Sequence, residues 1–349
     1  MKIENDIKLD FSDVLFRPKR STLSSRSEVE LSRTFKFKYS GQSWTGVPLI
    51  SSNMDTISCI DMFKSLSKHK CLTCFHKYIN IDDVITTCNM GYSSDYFILS
   101  TGILDKDYER LCDNYNKLKA ANIDLKFICI DVANGYMFKL IEFCKKVRET
   151  FPNVTLIAGN VVTREIVEEL IISGKIDIIK VGIGSGAVCT TRLQTGVGLP
   201  QFSAVLECSD AAHGLNGMII SDGGICYPGD VSKAIGGGAD FVMVGSMLAG
   251  HDECPGDVIE EADGKKYKLF YGMSSDTAMN KHHGGVAKYR TSEGKTVKVP
   301  YKGPVEGTIQ NIYGGLRSTC TYIGANKIKD ISKCATFVRV NNQVNNFYK

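Results

Sequence analysis

The residues with the clearest capacity for chemistry lie in one glycine-rich run, Gly182-Ile183-Gly184-Ser185-Gly186-Ala187-Val188-Cys189-Thr190-Thr191-Arg192. A cysteine attacks as its thiolate, and a nearby Arg or oriented backbone amides increase the thiolate fraction at neutral pH. Cys189 has both kinds of neighbour. Most other cysteines of the chain lie in apolar stripes, where a free thiol behaves as a small hydrophobe. Cys71-x-x-Cys74 has the form of half a redox or zinc motif. It falls inside a strand-like run whose alternate residues face opposite ways, and no second pair accompanies it, so it reads as core. His282-His283 lacks partner ligands at metal spacing and reads as surface.

Two further loops suit an anion. Ser221-Asp222-Gly223-Gly224 and Gly245-Ser246 each follow a short apolar run. Glycines let backbone N–H groups approach a phosphate closely, and the loops after strands seven and eight of a barrel commonly hold one. Gly182-x-Gly184-x-x-Ala187 also fits a loose dinucleotide fingerprint. That motif must open a helix, whereas Val188 to Gly198 is rich in Thr and Gly and reads as a mobile loop. The other use of this loop is a ring of carbonyls, hard ligands for a monovalent cation.

These loops need elements to hold them. Val47–Ile50, Cys71–Phe75, Tyr96–Leu99, Phe127–Ile130, Thr155–Ala158, Ile178–Val181, Met218–Ile220 and Phe241–Val244 are each apolar on both faces, which suits parallel strands covered by helices. Between them run helical patterns: Met137, Leu140, Ile141, Cys144 and Val147 form one stripe, Thr163 is placed as an N-cap with Gly174 as the stop, and Asp230 as the cap of a helix that Gly236 ends. Eight strands alternating with helices predict an α/β fold of the (β/α)8 TIM-barrel type, the doubly wound open sheet being the alternative. Lys77 to Asp95 is too short to carry an inserted domain, so residues 1–349 are expected to form a single catalytic barrel. Residues 281–303 lack apolar periodicity and are expected to form a mobile active-site lid after strand eight.

Composition narrows the class. The chain has 349 residues, 43% hydrophobic and 23% charged, which excludes a disordered or fibrous protein. Its net charge of +4, from 42 basic and 38 acidic residues, is too slight for a nucleic-acid binder. Arg17/Lys19/Arg20 and Lys265/Lys266/Lys268 read as solvated faces. No apolar run approaches the roughly 20 residues of a membrane span, and Met1–Asp6 is polar, unlike a signal peptide. Thirteen cysteines, an odd number without framework spacing, read as reduced thiols and a cytoplasmic location.

Together these residues resemble the IMP dehydrogenase/GMP reductase family, from Leu9-Asp10-Phe11-Ser12-Asp13-Val14-Leu15 through Arg339. The marks are Asn53-Met54-Asp55-Thr56, the Gly184–Arg192 cysteine loop, Ser221–Gly224 and Tyr271-Gly272-Met273-Ser274-Ser275. The reductase branch fits better. There is no room for the regulatory domain that dehydrogenases commonly carry, and Tyr289-Arg290-Thr291-Ser292-Glu293-Gly294-Lys295 is similar to the reductase lid. Asn53 stands where dehydrogenases usually have proline, although Ser246, where many reductases have glycine, is a dehydrogenase-like feature.

The resemblance implies reductive deamination of GMP to IMP and ammonia by NADPH, in purine interconversion. It implies Cys189 as nucleophile, with Thr191 and Glu293 protonating the departing amine. For the nucleotide it implies Asp222 on ribose, Gly223, Gly224, Gly245 and Ser246 on phosphate, and Gly272, Met273, Ser274, Arg290, Thr291, Ser292 and Gly294 near base and phosphate. For NADPH it implies Lys77, Asp131, Val132, Ala133, Ile183, Gly184, Met273, Tyr289, Arg290 and Ser318, Thr319, Cys320 and Thr321, with Ser25 and Arg26 reaching a neighbouring subunit's cofactor. Carbonyls of Gly184, Gly186 and Cys189, with Arg192, resemble a potassium site, and a homotetramer is implied. The competing readings are an IMP dehydrogenase without its regulatory domain and a catalytically silent nucleotide-binding barrel.

Overall fold

Eight parallel strands close into a barrel in the computed structural model, which describes residues 1–285 and 291–341. They are β1 (Leu49–Ser51), β2 (Leu72–Phe75), β3 (Phe97–Thr101), β4 (Phe127–Asp131), β5 (Thr155–Val161), β6 (Ile178–Val181), β7 (Met218–Asp222) and β8 (Phe241–Val244), each bonded to the next in sequence and β8 to β1. The barrel follows from the apolar runs. One set of alternate residues, including Ile50, Leu72, Cys74, Ile98, Phe127, Cys129, Ile157, Ile178, Ile220, Phe241 and Met243, packs as one inner cluster. The other set packs outward against the helices. Cys71 and Cys74 fall in these two different clusters, so the pair is core, not a metal half-site.

The helices α1 (Ile60–Lys68), α2 (Ile81–Asn89), α3 (Asp105–Ala120), α4 (Phe138–Thr150), α5 (Arg164–Ile172), α6 (Gln201–Gly214), α7 (Pro228–Gly236) and α8 (Glu306–Ile323) surround the strands. Thr163 stands at the N-cap of α5, though its hydroxyl makes no capping bond. Asp230 is not the cap of α7: Tyr227 is, and Asp230 accepts from the N–H groups of Cys226 and Tyr227. Pro at the first helical position moves the helix start ahead of Asp230. A hairpin of Arg33–Lys36 with Ser43–Gly46 covers one barrel mouth, its Phe35 stacked on Phe241 at 4.3 Å. None of the helices is long and apolar enough to cross a membrane among the described residues.

The stretch after β8 is more structured than its composition suggests. Strand Lys266–Tyr271 pairs with Thr296–Pro300, and a helix covers Asp276–His283. Regular structure therefore enters residues 281–303 from both sides, and Val286–Arg290 lie outside the described residues. Lys268 is buried rather than solvated, its ammonium donating to the Cys254 carbonyl at 2.7 Å, because the Asp252–Cys254 turn supplies acceptors there.

His282 is likewise not surface. Its ring lies flat on Tyr78 at 4.0 Å, and its Nε2 meets Asp55 Oδ2 at 2.7 Å. The same carboxylate oxygen accepts from Lys281 Nζ at 3.0 Å and Tyr271 O–H at 3.1 Å. Burial alone would raise the Asp55 pKa, but the bonds from His282 and Lys281 outweigh it and hold the carboxyl below its usual value. One buried carboxylate thus ties the helix before the undescribed stretch to the loop after β1.

A carboxyl with a depressed folded pKa contributes stability that is present above its unfolded value and lost as pH falls through the folded one. Asp55→Asn is expected to cost about 2 kcal/mol at neutral pH, read by denaturant titration, with the gap to wild type closing in acid. A gap independent of pH would show that the charge of Asp55 does not hold this helix.

Candidate active site

The inward-facing layer at the carboxyl ends of the strands changes character from apolar to polar. Two residues beyond Cys129, Ile178 and Ile220 along their strands stand Asp131, Lys180 and Asp222, which share the inward direction by the period of two. Lys180 Nζ lies 2.7 Å from Asp131 Oδ1 and 2.8 Å from Asp222 Oδ2. Asn53 Nδ2 donates to the other Asp131 oxygen, and Asn160 Nδ2 donates to Asp222 Oδ2, each at 2.9 Å.

Above this layer opens a cleft of about 980 Å³. Its walls include Asn53 and Met54 after β1, Asp131, Val132 and Ala133 after β4, Ile183, Gly184, Gly186 and Cys189 after β6, and Asp222 of β7. Gly272, Met273, Ser274 and Glu293 close it from the region after β8.

Cys189 and Glu293 come from distant parts of the chain and meet through one side chain. Thr191 Oγ1 is 3.1 Å from Cys189 Sγ and donates to Glu293 Oε2 at 2.8 Å. Main-chain bonds fix the docking: the Thr190 N–H donates to the Glu293 carbonyl and the Lys295 N–H to the Val188 carbonyl, both at 2.9 Å. The loop is not irregular throughout, since Thr191–Thr195 form a helical turn that Gly196 ends. By contrast, burial pushes the thiols of Cys71, Cys144 and Cys320 up to about 12, so these remain protonated and inert. Cys189 is half-buried and faces the cleft.

The anion loops converge beside it. Gly223 has φ +97°, and a Cβ there would collide with Ser185 Oγ and approach the Gly186 N–H at 3.1 Å. Such a backbone-lined space is what an anion needs. Gly224 lines a neighbouring cavity of about 720 Å³ with Ser185 and Arg192. Gly245 and Ser246 are half-buried after β8, and Ser246 Oγ donates to the Ile225 carbonyl. Ser292 Oγ donates to the Gly294 carbonyl at 3.0 Å, while Thr291 is exposed.

The groups that a cofactor or cation would need can be tested on this geometry. Asn160 Oδ1 is buried without a hydrogen-bond partner, an acceptor suited to the hydroxyl and amide donors of a nucleotide or nicotinamide. Asp131, Val132, Ala133, Ile183, Gly184 and Met273 share the cleft with Cys189, a lining that fits a nicotinamide. For a cation, Gly184, Gly186 and Cys189 lie on one loop turn closed by the Cys189 N–H on the Gly186 carbonyl. Arg192 braces that turn through Asp10 at 3.2 Å and the Leu199 carbonyl at 2.8 Å. Carbonyl donors of this kind fit a monovalent cation. No cluster of three or more His, Cys, Asp or Glu suits a metal among the described residues.

Other expected residues lie apart. Lys77 pairs with Asp107 at 3.3 Å, outside the walls of the cleft. Ser25 caps the short turn Arg26–Glu28, whose Glu28 side chain accepts from the Ser25 N–H. Ser318, Thr319, Cys320 and Thr321 lie on α8, where Thr319 Oγ1 donates to Ser232 Oγ and Cys320 is buried. Tyr289 and Arg290 fall outside the described residues. Sequence reasoning missed Lys180 and Asn160. A lysine two residues from Ile178 within a fully apolar run was the available signal; Asn160 had none.

The family profile described as the IMP dehydrogenase / GMP reductase domain matches residues 8–346. A protein of Photobacterium profundum named GMP reductase is 57% identical over 350 residues, covering 100% of this chain and 99% of its own. Proteins of the same name from Salmonella paratyphi C and Salmonella typhi are each 56% identical over 351 residues, with the same coverage. A thiol hydrogen-bonded to a threonine–carboxylate pair, set beside glycine-rich loops at the top of a (β/α)8 barrel, is accordingly the setting of a chain that belongs to the IMP dehydrogenase / GMP reductase family.

Proposed function

We propose that this protein is a GMP reductase, converting GMP to IMP and ammonia with NADPH through a thioimidate on Cys189. The observation that carries the reading is the linked series Cys189 Sγ, Thr191 Oγ1 and Glu293 Oε2 on the wall of a cleft that also contains Asp131 and Asp222. The names of the relatives, at more than half identity over full length, support it.

In the first step Cys189 Sγ bonds to purine carbon 2 and the carbon–nitrogen bond to the amino group breaks. An amine leaves poorly unless it gains a proton. The thiol proton can pass through the Thr191 hydroxyl to Glu293, which returns it to the departing amine, so ammonia leaves and atoms balance. NADPH, when bound, supplies the hydride for carbon 2. Cys189 then leaves as thiolate, taking the electron pair of the carbon–sulfur bond, and regains a proton. Docking of the Glu293 segment over Cys189 excludes water, which would otherwise hydrolyse the thioimidate.

The remaining roles follow the same reading. Asp222 accepts from the ribose hydroxyls, while Gly223, Gly224, Gly245 and Ser246 surround the phosphate. Gly272, Met273, Ser274, Thr291, Ser292 and Gly294 close over the base, with residues 281–303 acting as the lid of a single catalytic domain. Carbonyls of Gly184, Gly186 and Cys189, with Arg192, would hold potassium and so fix the cysteine loop. Lys77 and Ser318–Thr321 extend the cofactor site, and Ser25 and Arg26 serve that of a neighbour in a homotetramer. The setting is cytoplasmic purine interconversion.

Incubation with GMP and NADPH, followed by nicotinamide absorbance and product identification, should yield IMP and ammonia. Turnover only of IMP with NAD would make the protein a dehydrogenase, and nucleotide binding without either turnover a silent barrel. Cys189→Ser should retain GMP binding and lose at least about a thousandfold in rate; a variant keeping a tenth of the rate would rule out covalent catalysis.

Guanosine, which lacks the phosphate, should be a far poorer substrate than GMP, and Gly223→Val should raise the KM for GMP. Equal efficiency with guanosine and GMP would contradict the anion site. Glu293→Gln should slow deamination by about a hundredfold or more. Single-turnover reduction of NADP by IMP, which needs no proton for a departing amine, should suffer less. Equal losses in both half-reactions would make Glu293 a residue that holds the lid.

A further inference from the structure

The charge at the base of the cleft is concentrated in three side chains, and the central one has no place in the reaction derived above. Lys180 is 3% exposed, and its ammonium sits between Asp131 and Asp222. Burial by itself would lower the Lys180 pKa, but the two carboxylates outweigh it and hold the ammonium well above its ordinary range.

A buried ammonium is a poor way to fill space, since an apolar side chain of similar volume is commonly neutral or better for stability. This one is held by specific partners. A Cβ on Gly159 would collide with the Lys180 carbonyl and stand 2.8 Å from its Cβ, so the two strands approach closely where the ammonium enters the cleft layer. Asn53 and Asn160 complete the arrangement by donating to one carboxylate each, Asp131 and Asp222 respectively. Without the ammonium, Asp131 and Asp222 would repel each other, rotate apart or take up a proton.

We infer that Lys180 is a positioning residue that fixes Asp131 and Asp222 against one another, so that a single ammonium sets both the nucleotide subsite and the cofactor subsite. The identity of the two ligands rests on the GMP reductase reading. Asp222 is the nucleotide arm and Asp131 the cofactor arm, and neither carboxylate can leave its place without changing the partner of the other. Binding at one arm is thereby felt at the other through a contact that touches no reacting atom.

Lys180→Met should raise the KM for GMP and the KM for NADPH, each by about tenfold or more, the range found when a group that orients a direct ligand is removed. kcat at saturation should fall less, and Lys180→Arg, which keeps the charge and can still bridge two carboxylates, should recover most of both losses. A Lys180→Met enzyme with a lowered Tm and both KM values within about twofold of wild type would overturn the inference, because the ammonium would then serve the fold alone. A rise in only one KM would overturn it as well. Should Lys180→Met not fold, Lys180→Met/Asp131→Asn removes the uncompensated charge on the cofactor arm. Calorimetry with GMP alone should then still show binding weakened by about tenfold, although the nucleotide arm is untouched; wild-type affinity would overturn the inference. A wild-type protein that binds GMP in the calorimeter without reducing it with NADPH would refute the GMP reductase reading, and the calorimetric comparison of GMP binding would still test Lys180.

Discussion

Everything in the site depends on the hydrogen bond by which Thr191 joins the Cys189 thiol to a carboxylate 102 residues beyond the threonine. The barrel alone presents Cys189 on the loop after β6, and the extension after β8 alone presents Glu293 on a short segment between strands. Neither has an acid and a nucleophile. The backbone bonds on both sides of Glu293 hold the loop and the segment together, so the linked thiol, hydroxyl and carboxylate on which the proposed proton transfer rests are in place without a ligand. Preorganisation of this kind is where enzymes place much of their catalytic effect, because geometry set in advance need not be assembled in the transition state.

The second requirement is electrostatic. A barrel interior is a poor environment for ions, and the inner cluster of Ile, Phe, Leu and Cys keeps it so until the last inward layer. There the period of two places Asp131, Lys180 and Asp222 side by side. Two carboxylates and one ammonium leave the base of the cleft negative and rich in acceptors, a surface suited to ribose hydroxyls and amide donors. In the proposed function the phosphate is received elsewhere, by the backbone around Gly223. The cleft therefore sorts a nucleotide by chemistry: donors toward the barrel, the anion toward the glycine loops.

Much of this was legible in the residues. Near-continuous apolar runs bounded by glycine predicted eight parallel strands, and the barrel has them at those places with ends moved by up to three residues. Cys189 stood out by its setting, as did the Asp-Gly-Gly loop. Composition misled in the region after β8. Its charged residues hid a strand whose Lys268 is buried on carbonyls, and a helix whose His282 packs against Tyr78 and Asp55. The contacts of His282 depend on segments more than 200 residues apart, which no local pattern encodes. Lys180 went unnoticed for a different reason: a charge inside an apolar run reads as noise until β4 and β7 are seen to bring carboxylates to it.

Covalent chemistry at Cys189 is the claim on which the functional reading turns. Its most direct test is mass spectrometry of the protein quenched at successive times after mixing with GMP and NADPH. A thioimidate requires a transient gain equal to GMP less ammonia, mapped to the peptide that carries Cys189 and decaying as IMP appears. IMP formed at full rate with no such adduct at any time, or with the adduct on another cysteine, would contradict it.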